Sequence, residues 1–396
     1  MIPGFLSHPQ KRIVFTFSLA TFLFAFSTVV ESVYLPIYLE KVIGLGRSEI
    51  GLLISIYALT LVLLVAPFGH FSDRVSPRRI IQAGLLLFAG YCCLIAWVRT
   101  LAFFIVAQVI GGIGYSLVVI ALPSLYYKHL NPSRKGQKVG VYIFANFLGF
   151  GCGPLVTGFL LRRCGFSYGE AFMGVGALMG GLWLFSRALK DAPPFKIRLF
   201  DYKQDILRKE VFLLVCMLVA MGIHYGNEQA SLALYMRDVI KLNDFDVGTV
   251  FAVLGFWIAV LAVVTGTLYD RSRKVLLFIC LGLVVSGSFH ILTAFTKSYG
   301  SVLGVRIMHT TGDAVVIFAM NAIIASIFPT QRMGGNVGFT TFFRTQGIFF
   351  GALASGFFDA NYGSRLSFIV AGSGTILVGV LLAANWRTML RLSREL

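Results

Sequence analysis

Five ionisable side chains lie deep inside apolar stretches of the sequence, where a charge is costly. They are three acids, Glu31, Glu228 and Asp313, and two arginines, Arg306 and Arg344. A charge near the centre of a hydrocarbon layer costs about 2.5 to 3.5 kcal/mol or more, so such residues usually face a cavity and carry function. A carboxyl group in that position can gain and lose a proton as its surroundings change. We therefore consider all five as candidates for proton coupling or substrate binding.

Three of these side chains share a helix face with a histidine. His224 and Glu228 are four residues apart, and Arg306, His309 and Asp313 follow one another at spacings of three and four. Such spacings place side chains on one face of a helix, where they could relay protons or bind substrate. Two structural alternatives stay open. Each histidine could form an interhelical hydrogen bond, and Arg306 and Asp313 could form ion pairs with neighbouring helices.

The composition indicates the elements that carry these residues. The chain has 396 residues, of which 57% are hydrophobic and 13% are charged, about half the charged fraction of soluble domains. Runs of about 20 apolar residues are long enough to span a bilayer. The sequence therefore predicts an all-α membrane protein with twelve transmembrane helices. The twelve runs cover residues 13–39, 48–69, 79–98, 101–127, 138–161, 168–188, 211–236, 246–268, 274–296, 299–328, 335–358 and 364–387.

Charge and cysteine content narrow the function classes. The net charge is +17, and with both ends of the chain on one side of the membrane, that side holds 23 of the 34 Lys and Arg residues. By the positive-inside rule these residues place both termini in the cytoplasm, so the charge predicts orientation and no nucleic-acid partner. The six cysteines have no paired spacing that indicates a disulfide or zinc site. No nucleophile–base pair is readable, so we predict neither an enzyme nor a cofactor or metal.

The chain reads as two halves with one plan. A polar connection divides it into an N-terminal six-helix bundle (1–188), a cytoplasmic linker (189–210) and a C-terminal six-helix bundle (211–396). Special residues recur between the halves at a nearly fixed offset, as expected for internal repeats. At 197 positions apart lie Gly69 and Gly266, Asp73 and Asp270, Arg74 and Arg271, Glu31 and Glu228, and Tyr38 and Tyr235. At 198 positions apart lie Gly140 and Gly338, Gly149 and Gly347, Gly153 and Gly351, and Gly158 and Gly356.

Two of these repeated patterns resemble signatures of one family. The first has a GxxxDR spacing followed by basic residues and is formed by Gly69, Asp73, Arg74 and Arg78, with a second copy at Gly266, Asp270 and Arg271. The second resembles the antiporter motif of the fifth span and is formed by Gly140, Gly149, Gly153, Pro154 and Gly158. Together they resemble the major facilitator superfamily, in particular its 12-span drug:proton antiporters. The resemblance covers the whole chain.

The resemblance implies roles for these motifs. It implies that Asp73 and Asp270 are gating residues, and that the small residues of spans five and eleven form smooth faces at the seam between the halves, with a static helix contact as the alternative. Glu31, which precedes a Leu-Pro pair, resembles an acidic residue of span one in these exporters. Span four differs from the family because Gln108 stands where an arginine is usual, and Arg306 provides that arginine in the other half. Proton coupling is therefore expected to run through the C-terminal half.

The sequence thus predicts a monomeric transporter in the cytoplasmic (inner) membrane of a bacterium. It is expected to exchange a small amphipathic, multidrug-type solute for protons by alternating access. The open alternatives are a proton-coupled importer or a uniporter and, as a different class, a receptor or scaffold that does not transport. The central cavity is predicted to be lined by Tyr34, Tyr38, Tyr115, Phe144, Asn146, Tyr235, Trp257, Asn321 and Phe343.

Overall fold

A computed structural model describes residues 8–45, 47–131, 133–196, 198–232, 235–242, 244–272, 275–385 and 387. These residues contain twelve long helices, which confirms the predicted all-α architecture. The first six are α1 (His8–Tyr38), α2 (Arg47–Arg74), α3 (Pro77–Trp97), α4 (Leu101–Lys128), α5 (Lys135–Arg163) and α6 (Tyr168–Phe185). The others are α7 (Lys209–Asn227), α8 (Asp244–Ser272), α9 (Val275–Thr293), α10 (Tyr299–Ile327), α11 (Met333–Tyr362) and α12 (Ser364–Ala384).

The helices are apolar enough for a membrane protein. Within the described residues, ten segments have the length and composition needed to cross a bilayer, and α9 adds a shorter apolar stretch, Leu277–Thr293. Short helical segments occur between the long ones. They are 3-10 turns at Ser186–Ala188, Leu199–Tyr202 and Thr330–Arg332, a single α-turn at Lys203–Ile206, and π-helical segments at Leu39–Ile43, Glu228–Leu232 and Tyr235–Val239.

The packing of helices repeats from one half of the chain to the other. In the first half α3 packs against α4 and α6, α2 packs against α4, and α1 packs against α6. In the second half the same pairs recur six helices later, since α9 packs against α10 and α12, α8 against α10, and α7 against α12. The turns repeat as well. Gly165 and Gly363, which lie 198 positions apart, both have left-handed backbone angles, with φ of 71° and 83°, a conformation that glycine adopts without strain.

The chain groups into two compact units. Unit 1 contains Met1–Pro132, Ala145–Ile197 and Thr330–Gly338, and unit 2 contains Ser133–Phe144, Arg198–Pro329 and Phe339–Leu396. The first turns of α5 therefore belong to unit 2, and the first turns of α11 belong to unit 1. The division predicted at residues 189–210 did not include this exchange of the first turns of α5 and α11 between the two units. Hydropathy shows where a helix lies in the sequence, but it does not show which helices it contacts.

One predicted span changes its winding at a charged residue. The sequence predicts a continuous span over 211–236, but α7 ends at Asn227 and the chain continues as a π-helical segment from Glu228. π-Helical turns are wider than α-turns and often occur at functional sites. Glu228 is therefore the residue at which the regular α-helix ends and the wider π-helical winding begins.

Candidate functional site

Glu31 lies in unit 1 among neutral partners. Its side chain on α1 is buried, with 6% of the residue exposed. The hydroxyl of Tyr91 on α3 lies 2.5 Å from Glu31 Oε1 and 3.1 Å from Gln108 Oε1 on α4. No cationic group lies within 4 Å of this carboxyl group among the residues that the structure describes. The hydroxyl of Tyr91 is thus the polar partner of Glu31 in the described structure.

Sequence analysis did not identify Tyr91, although the sequence holds a signal for it. A Cβ atom at Gly111 on α4 would lie 2.8 Å from atoms of the Tyr91 ring, so only glycine leaves room for that ring. Tyr91 is fully buried, and the ring of Tyr57 lies 6.3 Å from it between centroids. The glycines that follow Gln108 therefore position the partner of Glu31.

Glu228 lies in unit 2 among charged and ionisable partners. Its Oε1 atom accepts a hydrogen bond from the guanidinium of Arg306 on α10. The same oxygen lies 2.8 Å from Nε2 of His309 and 3.4 Å from Nε2 of His224. Arg306 and both histidines are buried, whereas 16% of the Glu228 side chain is exposed. The predicted residues of spans seven and ten therefore meet in one cluster.

Asp313 belongs to the same cluster. Its Oδ2 atom lies 3.1 Å from Nε2 of His309 and 3.6 Å from Nε2 of His224. Its Oδ1 atom accepts a hydrogen bond of 2.6 Å from the hydroxyl of Ser286 on α9. The expected alignment of Arg306, His309 and Asp313 on one helix is realised, but each contacts α7 or α9 rather than forming a chain along α10 alone.

His290 on α9 completes the cluster, and sequence analysis missed it. Its Nδ1 atom lies 3.6 Å from Glu228 Oε1, and its Nε2 atom lies 2.7 Å from Oδ1 of Asn227. One ligand atom from each of His224, Glu228, His290 and His309 lies within 4.8 Å of the others. A lone histidine in an apolar run gave no spacing pattern, so only the packing of α9 reveals it. We name this set, with Arg306 and Asp313, the histidine cluster.

Arg344, which was predicted for the same site, lies near α7, where its carbonyl oxygen approaches Gly222. It sits on α11 with a partly buried side chain. Within the described part of the chain it forms no ion pair. Its predicted role in substrate binding or coupling stays a prediction.

Asp73, from the first GxxxDR pattern, binds the start of a helix. Its two carboxylate oxygens accept hydrogen bonds from the backbone N–H groups of Gly334 at 2.8 Å and Gly335 at 2.7 Å, in the first turn of α11. Lys128 forms a salt bridge of 2.7 Å with the same carboxylate, and both side chains are buried. A carboxylate stabilises a helix N-terminus because the first N–H groups have no partner within the helix. The geometry is that of a cap, and gating is its predicted role.

The residues around Asp73 complete the turn between α2 and α3. Gly69 approaches α11 closely, since a Cβ atom there would lie 2.9 Å from the Cα atom of Gly338. Ser76 caps α3, with Pro77 at the first helical position. Asp191 accepts a hydrogen bond from the backbone N–H of Arg78 at 3.2 Å, while Arg74 is exposed.

The second GxxxDR pattern repeats part of this arrangement in unit 2. A Cβ atom at Gly266 would lie 2.6 Å from the carbonyl oxygen of Gly136, and one at Gly140 would lie 2.6 Å from that of Ala262. The first glycine of the antiporter motif therefore packs directly on α8. Arg271 is exposed, and the side chain of Asp270 lies outside the described residues.

The other glycines of the antiporter motif pack on α1 within unit 1. A Cβ atom at Gly153 would lie 2.7 Å from the carbonyl oxygen of Phe26, and a Cβ atom at Gly149 would also contact the backbone of α1. Tyr34 donates a hydrogen bond of 2.8 Å to the carbonyl oxygen of Pro154, close to Gly158. In unit 2, Gly347 contacts Val219 of α7 in the same way. These residues allow close helix contact, which is how helices associate in lipid.

Tyr38 and Tyr235 differ from their predicted place in a cavity lining. Tyr38 accepts a hydrogen bond of 2.9 Å from Arg99, and its ring packs on Phe172. Tyr235 is fully buried against Phe368. Both side chains are thus occupied by contacts inside one unit. Their recurrence in the two halves reflects packing between equivalent helices.

The other predicted lining residues are at least partly buried, and several of them form hydrogen bonds or ring contacts. Tyr115 stacks on Phe24 with 5.6 Å between centroids. Trp257 donates to the hydroxyl of Thr311 at 2.9 Å. Asn146 lies 3.4 Å from the hydroxyl of Thr21, and Asn321 donates to the carbonyl of Ile317 at 2.8 Å. Their lining role stays a prediction, as does that of Tyr34.

Comparison with known proteins identifies the family. The family model of the Major Facilitator Superfamily matches residues 17–352 and, in a second match, 247–391. The quinolone resistance protein NorA of Staphylococcus aureus (strain MSSA476) is 24% identical over 364 residues, covering 90% of this chain and 92% of NorA. An MFS-type transporter of Methanocaldococcus jannaschii is 24% identical over 355 residues, covering 86% of this chain and 90% of that relative.

Solved structures share the fold. The human organic anion transporter MFSD10 superposes with a TM-score of 0.77 at 17% identity, over 95% of this chain and all of its own. The proton:xylose symporter XylE superposes with a TM-score of 0.76 at 13% identity, over 94% of this chain and 95% of its own. The resemblance inferred from the two motifs is thereby confirmed, and the chain belongs to the Major Facilitator Superfamily of membrane transporters.

Proposed function

We propose that this transporter exports a small amphipathic solute in exchange for protons, with Glu31 as the proton carrier. The observation that supports this proposal is a buried carboxyl group whose described partners are all neutral. Burying a charge without a partner is costly, so a carboxyl group in such a place is stable when it carries a proton. A carrier must bind and release a proton, and Glu31 has no cation that holds it in the charged form.

The hydrogen bonds around Glu31 fit a protonated carboxyl group. Tyr91 has one hydroxyl hydrogen but lies within hydrogen-bond distance of two oxygens, Glu31 Oε1 and Gln108 Oε1. A protonated Glu31 can donate to Tyr91, and Tyr91 can then donate to Gln108, which satisfies all three groups. When Glu31 loses its proton, Tyr91 can turn its hydrogen to the carboxylate. The same three side chains thus accommodate both states.

The substrate class follows from similarity and from the predicted lining. NorA is named for quinolone resistance, and a quinolone is therefore the first solute to test. Aromatic residues with few polar tips, such as Tyr115 and Trp257, suit an amphipathic aromatic solute. We further propose a monomer in the cytoplasmic membrane with both termini inside, as the distribution of basic residues indicates. Asp73 and Asp270 are proposed to stabilise a closed cytoplasmic side.

The test measures exchange in liposomes that contain the purified protein. Quinolone uptake driven by an imposed pH gradient should fall to background in Glu31→Gln, whereas exchange of quinolone for quinolone should persist, because that exchange moves no net proton. Glu170→Gln is the matched control, since Glu170 is an exposed residue at the start of α6. Wild-type uptake in Glu31→Gln would contradict the proposal. Proton movement in the same direction as the solute would instead support the importer.

A further inference from the structure

We propose that the histidine cluster is a binding site for a divalent transition-metal ion, with His224, Glu228, His290 and His309 as its ligands. These residues bring one nitrogen or oxygen atom each within 4.8 Å of one another. Three of the six histidines in the chain meet here, although they lie on three different helices. Imidazole nitrogen with carboxylate oxygen is a donor set that Zn²⁺ binds with four-coordinate geometry.

The spacing of the donor atoms suits an ion of this size. Bonds of about 2.0 to 2.1 Å in a tetrahedral site place neighbouring donor atoms about 3.3 Å apart. From Glu228 Oε1, the distances to the nitrogens of His309, His224 and His290 are 2.8, 3.4 and 3.6 Å. The Nε2 atoms of His224 and His309 are 3.0 Å apart. The four atoms all lie within 4.8 Å of one another, so the largest separation must shorten by up to about 1.5 Å to complete a tetrahedral shell.

Two of the histidines have their outer ring nitrogen engaged as in metal sites. His309 lies with Nδ1 2.9 Å from the carbonyl oxygen of Ser286, which can only accept, so Nδ1 carries a proton. Its Nε2 atom faces the carboxylate oxygens of Glu228 and Asp313 at 2.8 and 3.1 Å, which also only accept, and a metal ion would take the place of the hydrogen between them. His290 lies with Nε2 2.7 Å from Oδ1 of Asn227, and Asn227 is oriented because its amide donates to Ser355 at 2.6 Å. Metal-binding histidines typically donate their other N–H group in this way.

His224 supplies an independent observation. It is fully buried, and its Nδ1 atom has no hydrogen-bond partner in the described structure. Its Nε2 atom lies 3.0 Å from Nε2 of His309. At this distance the two nitrogens can share one hydrogen, whereas a metal ion between them would bind both. The arrangement therefore converges on a point between His224, His309 and Glu228.

The charges of the histidine cluster leave room for a cation. Glu228 and Asp313 contribute two negative charges, Arg306 contributes one positive charge, and histidines that coordinate a metal ion are neutral and add none. The bond from Arg306 to Glu228 must be given up when a metal ion binds. Glu228 is also the member of the site with an exposed side-chain fraction, 16%, which gives an ion a way in. Arg306 thus acts as the internal competitor of the metal.

The experiment titrates the purified full-length protein, carrying no polyhistidine tag, with Zn²⁺ in competition with a chromophoric chelator. We expect one Zn²⁺ per chain, with affinity lowered at least about tenfold in His290→Gln because one ligand is lost. His129→Gln is the matched control, since His129 lies outside the cluster and contacts the carbonyl of Lys190. Failure of the wild-type protein to bind Zn²⁺, or equal affinity in His290→Gln and wild type, would overturn the proposal.

A second measurement covers the case in which His290→Gln does not fold. X-ray absorption at the zinc edge of the loaded wild-type protein should show three imidazole rings around the metal. Fewer than three imidazole ligands would refute the assignment. This result is independent of Glu31 and of transport, so the metal site and the proposed proton exchange can fail separately.

Discussion

Glu31 and Glu228 occupy equivalent positions of the two halves, 197 residues apart, yet their surroundings differ in kind. Glu31 is bonded to a tyrosine hydroxyl, whereas Glu228 is bonded to a guanidinium and lies beside three histidines. The difference shows that equivalent positions of the two halves can hold a carboxyl group in two different environments. A buried carboxyl group among neutral partners can exchange a proton, while one paired with an arginine stays charged.

Two substitutions between the halves account for most of this difference. Gln108 and Arg306 are equivalent, 198 positions apart, and so are Gly111 and His309. In unit 1 the glycine leaves space for the Tyr91 ring, and the amide accepts a hydrogen bond. In unit 2 the imidazole takes the equivalent position, and the guanidinium binds the acid. The contrast therefore rests on α4 and α10 rather than on the acids themselves.

The largest expected effect is a loss of stability when the cationic partner of Glu228 is removed. Arg306→Met removes the cation from a largely buried pair, and breaking such a pair by removing one partner costs about 3 to 5 kcal/mol. Thermal unfolding in detergent should show a clear loss of stability, whereas Glu31→Gln, which removes no ion pair, should unfold close to wild type. If both variants melted alike, the contrast between the two environments would be incorrect.

A transplanted arginine should abolish the contrast. Gln108→Arg places a guanidinium near Glu31, as Arg306 is placed near Glu228, and the pair should keep Glu31 charged. We expect pH-driven quinolone uptake to fall by at least about tenfold, since a carboxylate that is paired with a cation no longer takes up a proton readily. Gln108→Met, which adds no charge, is the control for size. Unchanged uptake in Gln108→Arg would show that Glu31 is not the carrier.

The smallest effect concerns the single hydrogen bond between Tyr91 and Glu31. Tyr91→Phe keeps the ring but removes the hydroxyl group, so we expect a loss of about 1 kcal/mol in stability, the usual net value of one hydrogen bond. Thermal unfolding measures it. Tyr57→Phe is the control, because the Tyr57 ring lies beside Tyr91. An equal loss in both variants would indicate that the bond to Glu31 has no special weight.

Most of the fold could be predicted from the sequence because each membrane-spanning helix corresponds to a long apolar run. The sequence also predicted the recurrence of Glu31 and Glu228, and the alignment of Arg306, His309 and Asp313, because both depend on spacing along the chain. Tyr91 and His290 were missed because their importance comes from contacts between helices that are distant in sequence. Tyr38 and Tyr235 show the same limit, since a repeated residue can mark a packing contact as readily as a lining position.

The expected route of protons illustrates a further limit. The missing arginine at Gln108 favoured coupling through the C-terminal half, on the assumption that an arginine assists coupling. The contacts support a different proposal. Arg306 binds Glu228, whereas Gln108, at the equivalent position of the first half, leaves Glu31 without a cation. The sequence shows where the arginines and the acids lie along the chain, but it does not show which arginine pairs with which acid.

The carboxylate of Asp73 binds N–H groups that the ribosome adds more than 250 residues later, since the two partners are separated by 261 and 262 positions. During biosynthesis, unit 1 therefore lacks the start of α11 until the eight helices between α2 and α11 have been made. A chain that stops at the linker lacks this segment, and two halves made as separate polypeptides must find each other before either is complete.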